Sequence, residues 1–195
     1  MIPKIQNPNI LDVGCGSGVP TIELAKLSSG HITGIEINRE ELHKLEKKIK
    51  DSDIGNQVKT IYGSLLEYEF PQNYFDIIWA EGVFHIIGFA KSFKKCYEIL
   101  KKGGFLVLNT QITKMQEVQD KINTYGYEFF NKYELPNEVW WNEFYKPLEE
   151  EINNLIDKNK SLRKNDQIRR YQEEIKMVKS DPQRFNSAFY IFKKI

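Results

Sequence analysis

The chain has 195 residues, and its 28 Lys plus Arg against 27 Asp plus Glu leave a formal net charge of +1, a balance that offers nucleic acid or an anionic membrane no electrostatic footprint. No run approaches the ~18 apolar residues of a membrane-spanning helix, Met1-Ile2-Pro3-Lys4-Ile5 carries no secretory pattern, and Cys15, Cys96 and three histidines suit neither a disulfide framework nor a metal site. The expectation is a cytoplasmic chain folded as one domain over residues 1–195.

Strand and helix signals alternate along the first half. Asn9 to Val13 is a short apolar run stopped by Gly14-Cys15-Gly16-Ser17-Gly18, which predicts a buried strand. Val19 to Leu27 reads as a helix with Pro20 in its first turn, and Ser28-Ser29-Gly30 ends it. His31 to Ile37 is a second strand, rich in β-branched residues. Asn38 can cap a helix from Arg39 to about Lys50, whose Leu42, Leu45 and Ile49 share one face. Val58 to Tyr62 and Phe75 to Trp79 are the third and fourth strands. A helix over Phe89 to Leu100 ends at Lys101-Lys102-Gly103-Gly104, and Phe105 to Leu108 is the fifth strand. This alternation predicts an α/β architecture, a parallel sheet covered on both faces.

The second half reads differently. Lys114 to Thr124 is expected as a helix and Tyr127 to Tyr133 as a strand. A long charged helical stretch follows over 136–182, and Ala188 to Phe192 forms a closing strand able to pair antiparallel with its predecessor. The basic residues from Lys158 to Arg170 lie near Glu149–Glu151 and Glu173–Glu174 and read as a solvated face.

The chemistry concentrates at the first strand's end. Glycines there let the chain turn tightly and let a ligand approach the backbone, and the next helix offers unpaired N–H groups at the positive end of its dipole. Asp12 stands beside that turn. Glu36 ends the second strand 22 residues after Gly14, the place from which an acid grips ribose hydroxyls. The dinucleotide fingerprint would need a glycine at position 19, which is Val19, and no triphosphate-binding Gly-Lys-Ser/Thr loop is present.

Leu11-Asp12-Val13-Gly14-Cys15-Gly16-Ser17-Gly18 resembles the first motif of the class I S-adenosylmethionine-dependent methyltransferases. Ile35-Glu36-Ile37 resembles their acidic second motif, Tyr74 to Trp79 their fourth strand, and Leu100 to Phe105 the approach to their fifth. The resemblance covers residues 9–112, with 136–182 as a helical insertion or lid before the last strand. It implies a Rossmann-like, doubly wound, seven-stranded sheet, mostly parallel, with the last strand antiparallel between the fifth and sixth.

It also implies an S-adenosylmethionine-dependent transferase acting on a small-molecule acceptor, with a cofactor-binding set. Gly14, Cys15, Gly16 and Gly18 would lie under the methionine part, and Asp12 near its amino-acid group. Glu36 would hold the ribose hydroxyls and Ile37 would pack on the adenine. Ser64 or the Leu65 backbone would meet the adenine amino group, and Glu81 and Gly82 would line the pocket. Ala80-Glu81-Gly82-Val83-Phe84 stands where base-methylating enzymes carry an Asn/Asp-Pro-Pro-aromatic motif, which argues against nucleic acid as substrate.

His85 is the candidate proton acceptor, with a capping or packing role as its other reading. Trp140, Trp141 and Tyr145 are candidate acceptor contacts, one of the tryptophans serving packing and the other a pocket wall. Similar enzymes carry helices upstream of the first strand. Only residues 1–8 precede it here, so either the chain is shortened at an internal methionine or the Trp140–Tyr145 segment covers the cofactor alone. The alternatives are a nucleic-acid or protein methyltransferase, or a nucleoside-binding or NAD-dependent Rossmann protein.

Overall fold

Short apolar runs that bury both faces become the sheet's central strands, and the amphipathic segments between them become its covering helices. The computed structural model describes residues 2–50, 52–135 and 138–195, the side chains of 184 and 185 apart. Seven strands form one sheet: β1 (Asn9–Val13), β2 (His31–Glu36), β3 (Val58–Tyr62), β4 (Phe75–Glu81), β5 (Leu100–Gln111), β6 (Tyr127–Glu134) and β7 (Ser187–Lys194). Their order is β3-β2-β1-β4-β5-β7-β6. β1 pairs parallel with β2 and β4, β2 with β3, and β4 with β5.

β7 runs antiparallel to both neighbours, as the family resemblance implied. At its start Ile112 N–H donates to Asn186 O and Leu135 N–H to Ser187 O, while at its end Ile195 N–H donates to Gly126 O. There too, Lys194 Nζ donates to Leu100 O, at the first residue of β5.

The helices of this first half are α1 (Val19–Leu27), α2 (Arg39–Lys50), the short α3 (Phe84–Ile87) and α4 (Phe89–Ile99). α2 starts where Asn38 Oδ1 accepts from the Glu40 and Glu41 N–H groups at 3.0 and 3.3 Å. Glu40 and Glu41 in its first turn and Lys47, Lys48 and Lys50 in its last both complement the helix dipole. Its Leu42, Leu45 and Ile49 pack with Cys15 as one buried cluster. A second cluster joins Ile10, Ile32, Ile77, Phe105 and Val107 to Ala25 of α1 and Ile191 of β7.

The chain divides into two compact units, one of residues 1–110, 114–133 and 189–195, the other of 111–113 and 134–188. The expected helix at 114–124 is instead α5 (Ile112–Gln116) followed by a 3₁₀ segment, Gln119–Tyr125, ended by Gly126. Asn123, Thr124 and Tyr125 are weak helix formers, so the tighter turn prevails there. The second unit holds a π-helical turn, Trp141–Tyr145, and helices α6 (Lys146–Lys158) and α7 (Asp166–Ser180). Its core is Tyr145, Ile152, Ile156, Ile175 and Val178. Pro136, where the insertion was expected to begin, lies outside the described residues.

Candidate functional site

Strand register decides which side chains meet. Ile10 is level with Ile32 on one side and Ile77 on the other, and Ile77 with Phe105. Side chains repeat every second residue, so each row continues on the same sheet face. One step on, Asp12 is level with Gly34 and Trp79; the next step brings Glu36 to the end of β2, and Glu81 at the end of β4 beside Asn109 of β5. Gly14, two residues beyond Asp12, leaves this row without a side chain between Glu36 and Glu81. Strand order reverses at β1, so the acids stand at the topological switch point, on the carboxyl side of the sheet.

The glycine turn is built tightly. Gly14 has φ +69°, and a Cβ there would sit 3.0 Å from Val83 Cγ2. Gly14 and Cys15 both donate their N–H groups to Ile35 O, at 2.8 and 3.2 Å, which ties the turn to β2. Glu36 is held by backbone: Oε2 accepts from Gly16 N–H at 3.0 Å and Oε1 from Asn38 N–H at 2.7 Å. Two N–H groups fix the carboxylate in place and leave lone pairs on both oxygens for a ligand.

Asp12 is 2% exposed and accepts from Thr21 Oγ1 at 2.6 Å. Burial pushes its carboxyl up to about 7; the Thr21 bond opposes the rise, and the charges of Glu81 and Glu36 add to it. Glu81 is half-buried and accepts from Trp79 Nε1 at 2.6 Å. Burial raises its pKa as well, and the indole bond opposes this.

These groups border a cleft of about 240 Å³. Of the expected residues, Gly14, Glu36, Ile37, Ser64, Leu65, Glu81 and Gly82 line it. Asp12, Cys15, Gly16 and Gly18 are not among the lining residues. Cys15 is buried against Gly34 and α2, where desolvation pushes its thiol up to about 12. Gly18, at φ +87°, lets Leu45 pack against the loop and caps α1. Val83, Ile86 and Ile87 form an apolar wall that sequence reasoning missed, because nothing distinguishes them from ordinary helix-start residues.

His85 is exposed and stands outside the cleft lining. Trp140, Trp141 and Tyr145 belong to the second unit. There Trp140 Nε1 donates to Ser187 Oγ, Tyr145 donates to Glu174, and Lys179 lies over the Trp141 ring. A larger cavity of about 660 Å³ lies between α4 and residues 124–126 and holds none of the expected site residues. The strand-end cleft is the better candidate, since the paired acids and the glycine turn converge on it. Among the described residues no group of three or more His, Cys, Asp or Glu could hold a metal ion, and no helix is long and apolar enough to cross a membrane.

Comparison with known proteins agrees with this geometry. Residues 10–104 match a family model described as a methyltransferase domain. A sterol 24-C-methyltransferase of Gibberella zeae is 32% identical over 96 residues, covering 49% of this chain and 25% of that protein. A 27-O-demethylrifamycin SV methyltransferase of Amycolatopsis mediterranei is 28% identical over 109 residues, covering 55% of this chain and 40% of that protein. The chain thus spans a quarter to two fifths of these relatives. A cyclopropane synthase of Mycobacterium tuberculosis matches in structure with a TM-score of 0.78, covering 99% of this chain and 80% of its own at 14% identity, which shows a common fold.

Proposed function

Because residues 10–104 match a methyltransferase-domain family model, we propose that this chain moves a methyl group from S-adenosylmethionine to a small-molecule acceptor. The observation that carries this reading is the row Glu36, Gly14, Glu81: two acids flanking a position without a side chain, over a cleft at the switch point. The cofactor supplies a methyl group on a cationic sulfonium beside an ammonium. The cleft suits that charge, for its lining includes two carboxylates and no Lys or Arg.

Each residue then has a defined task. Glu36, already oriented by two N–H groups, accepts from the ribose hydroxyls. Ile37 is 68% exposed beside the cleft, an apolar surface that an adenine ring would cover. Ser64 and the Leu65 backbone meet the adenine edge. The turn from Gly14 to Gly18 backs the methionine part, and Asp12 sits behind it near the amino-acid end. Methyl transfer is an in-line displacement, so the chain's contribution is alignment and exclusion of water. The polar bonds of Trp140 and Tyr145 within their own unit support packing roles for both. The even charge supports a small acceptor rather than nucleic acid and, with the low cysteine count, a cytoplasmic setting.

Calorimetric titration tests the reading. S-adenosylhomocysteine is expected to bind with micromolar affinity and NAD not to bind. No binding of S-adenosylhomocysteine would overturn the proposal. Glu36→Ala is expected to weaken that binding by at least ~1–3 kcal/mol, the cost of leaving the ribose hydroxyls unpaired.

A further inference from the structure

Asn109 lies two residues before the end of β5, level with Glu81, the two residues being register partners on neighbouring parallel strands. It is 6% exposed, and among the described residues its side-chain amide nitrogen finds no hydrogen-bond partner. Native structures leave few such groups unpaired, so a buried orphan donor at the carboxyl edge of the sheet points to something that binds there. Glu81 is its complement. Trp79 holds one of its oxygens, the carboxylate borders the cleft, and among the described residues no cation pairs with it. A fixed acceptor and an unused donor therefore stand side by side, at the end of β4 and two residues before the end of β5.

We propose, on the methyltransferase reading above, that Glu81 and Asn109 hold the methyl acceptor and that the acceptor is a hydroxyl group. The chemistry of the pair selects oxygen. A hydroxyl has a proton to give Glu81, one lone pair with which to attack, and a second lone pair to accept from the Asn109 amide. A neutral amine spends its single lone pair in the attack and leaves Asn109 unpaired; an alkene engages neither residue. In the step, the O–CH₃ bond forms as the S–CH₃ bond breaks. The acceptor's O–H proton passes to the Glu81 carboxylate, and the sulfonium is left as a neutral thioether. Glu81 then returns the proton to water. Burial that raises its pKa makes Glu81 a stronger base than an exposed carboxylate, and the Trp79 bond aims it. Glu81 is thus the catalytic base in place of the exposed His85.

The test uses S-adenosylmethionine with matched phenols, benzyl alcohols, benzylamines and styrenes, reading release of S-adenosylhomocysteine. Release is expected with hydroxyl acceptors alone. Glu81→Gln is expected to lower kcat by about 100-fold or more, and Glu81→Asp to recover part of it. Asn109→Ala is expected to act mainly on KM, raising it about tenfold. Asn109 is not among the cleft's lining residues, so Asn109→Ala should bind S-adenosylhomocysteine within about threefold of the parent. The Glu81 variants are assayed at saturating cofactor, so that lost turnover is not lost cofactor. A readout independent of turnover is the Asn109 side-chain amide resonance, identified by its loss in Asn109→Ala. In protein saturated with S-adenosylhomocysteine it should shift with a phenol and stay fixed with styrene. Turnover of an amine or alkene, full activity in Glu81→Gln, or no hydroxyl probe that moves the Asn109 signal overturns the proposal. Failure of the parent protein to bind S-adenosylhomocysteine overturns the methyltransferase reading instead, and the two failures are separable.

Discussion

Asp12 illustrates how one buried acid ties folding stability to pH. Its carboxyl, desolvated beneath the glycine turn, is raised to about 7 from an ordinary value of 3.8. The folded state therefore keeps a proton that the unfolded chain has released across that interval. Stability falls as pH rises from about 4 to about 7, the reverse of the usual salt-bridged aspartate. Asp12→Asn removes this penalty and retains an oxygen to accept from Thr21. Urea unfolding of the ligand-free protein is expected to show Asp12→Asn gaining about 1–3 kcal/mol over the parent at pH 8 and little at pH 4. An equal gain at both pH values would show that the carboxyl does not titrate with folding. With the cofactor's ammonium placed near Asp12 as proposed above, its charge would favour the ionised form, and cofactor binding near pH 7 is expected to release a proton, read as a buffer-dependent enthalpy in calorimetry.

At the scale of elements, β1 lies between Pro8 and Gly14, α1 starts after Gly18, α2 after the capping Asn38, and β3 stops before Gly63, so these bounds are legible in the sequence. Other boundaries depend on partners distant in the chain. β2 stops at Glu36 rather than Ile37 because Glu36 captures the Asn38 N–H and turns the chain into α2. Lys101-Lys102-Gly103-Gly104 reads as a turn, yet β5 begins at Leu100. Phe75 pairs with Leu100, the register shifts before Ile77 pairs with Phe105, and Gly103 at φ +76° absorbs the irregularity. Lys101 also binds Asp76 at 2.9 Å, a contact that composition does not reveal. In the candidate site, Glu36 and Gly14 were legible because their spacing has chemical meaning. Asn109 was not, since its significance is the absence of a partner, which only packing exposes.

Lys194, near the end of β7, is a further element-scale device. Its Nζ donates to Asn73 Oδ1, Tyr97 O and Leu100 O at 2.9, 2.6 and 2.7 Å and stands over the Tyr97 ring. One cation thereby joins the turn before β4, the end of α4 and the start of β5. Lys194→Met keeps the bulk and leaves three acceptors unpaired. It is expected to cost about 2–4 kcal/mol, read as a fall in urea midpoint, with no change in affinity for S-adenosylhomocysteine.

For the whole molecule, the two units give the ligand an uneven reach. A compound bound at the strand ends stabilises the states in which that site is formed, by about 2.7 kcal/mol at 100 times its Kd. Hydrogen exchange resolves where this protection falls. The Gly14 and Cys15 amides donate to Ile35 and the Gly16 amide to Glu36, so these bonds open only when the turn leaves β2. Saturation with S-adenosylhomocysteine is therefore expected to slow exchange across residues 14–18 and at the ends of β2 and β4. Helices α6 and α7 close on their own core of Ile152, Ile156, Ile175 and Val178, which includes no cleft residue. Their exchange is expected to stay within about twofold of the ligand-free rate, as is that of the Trp141–Tyr145 turn packed on the same core. Strong slowing confined to that turn would instead make the aromatic segment a cover that closes on ligand. Packing would then not be its whole purpose.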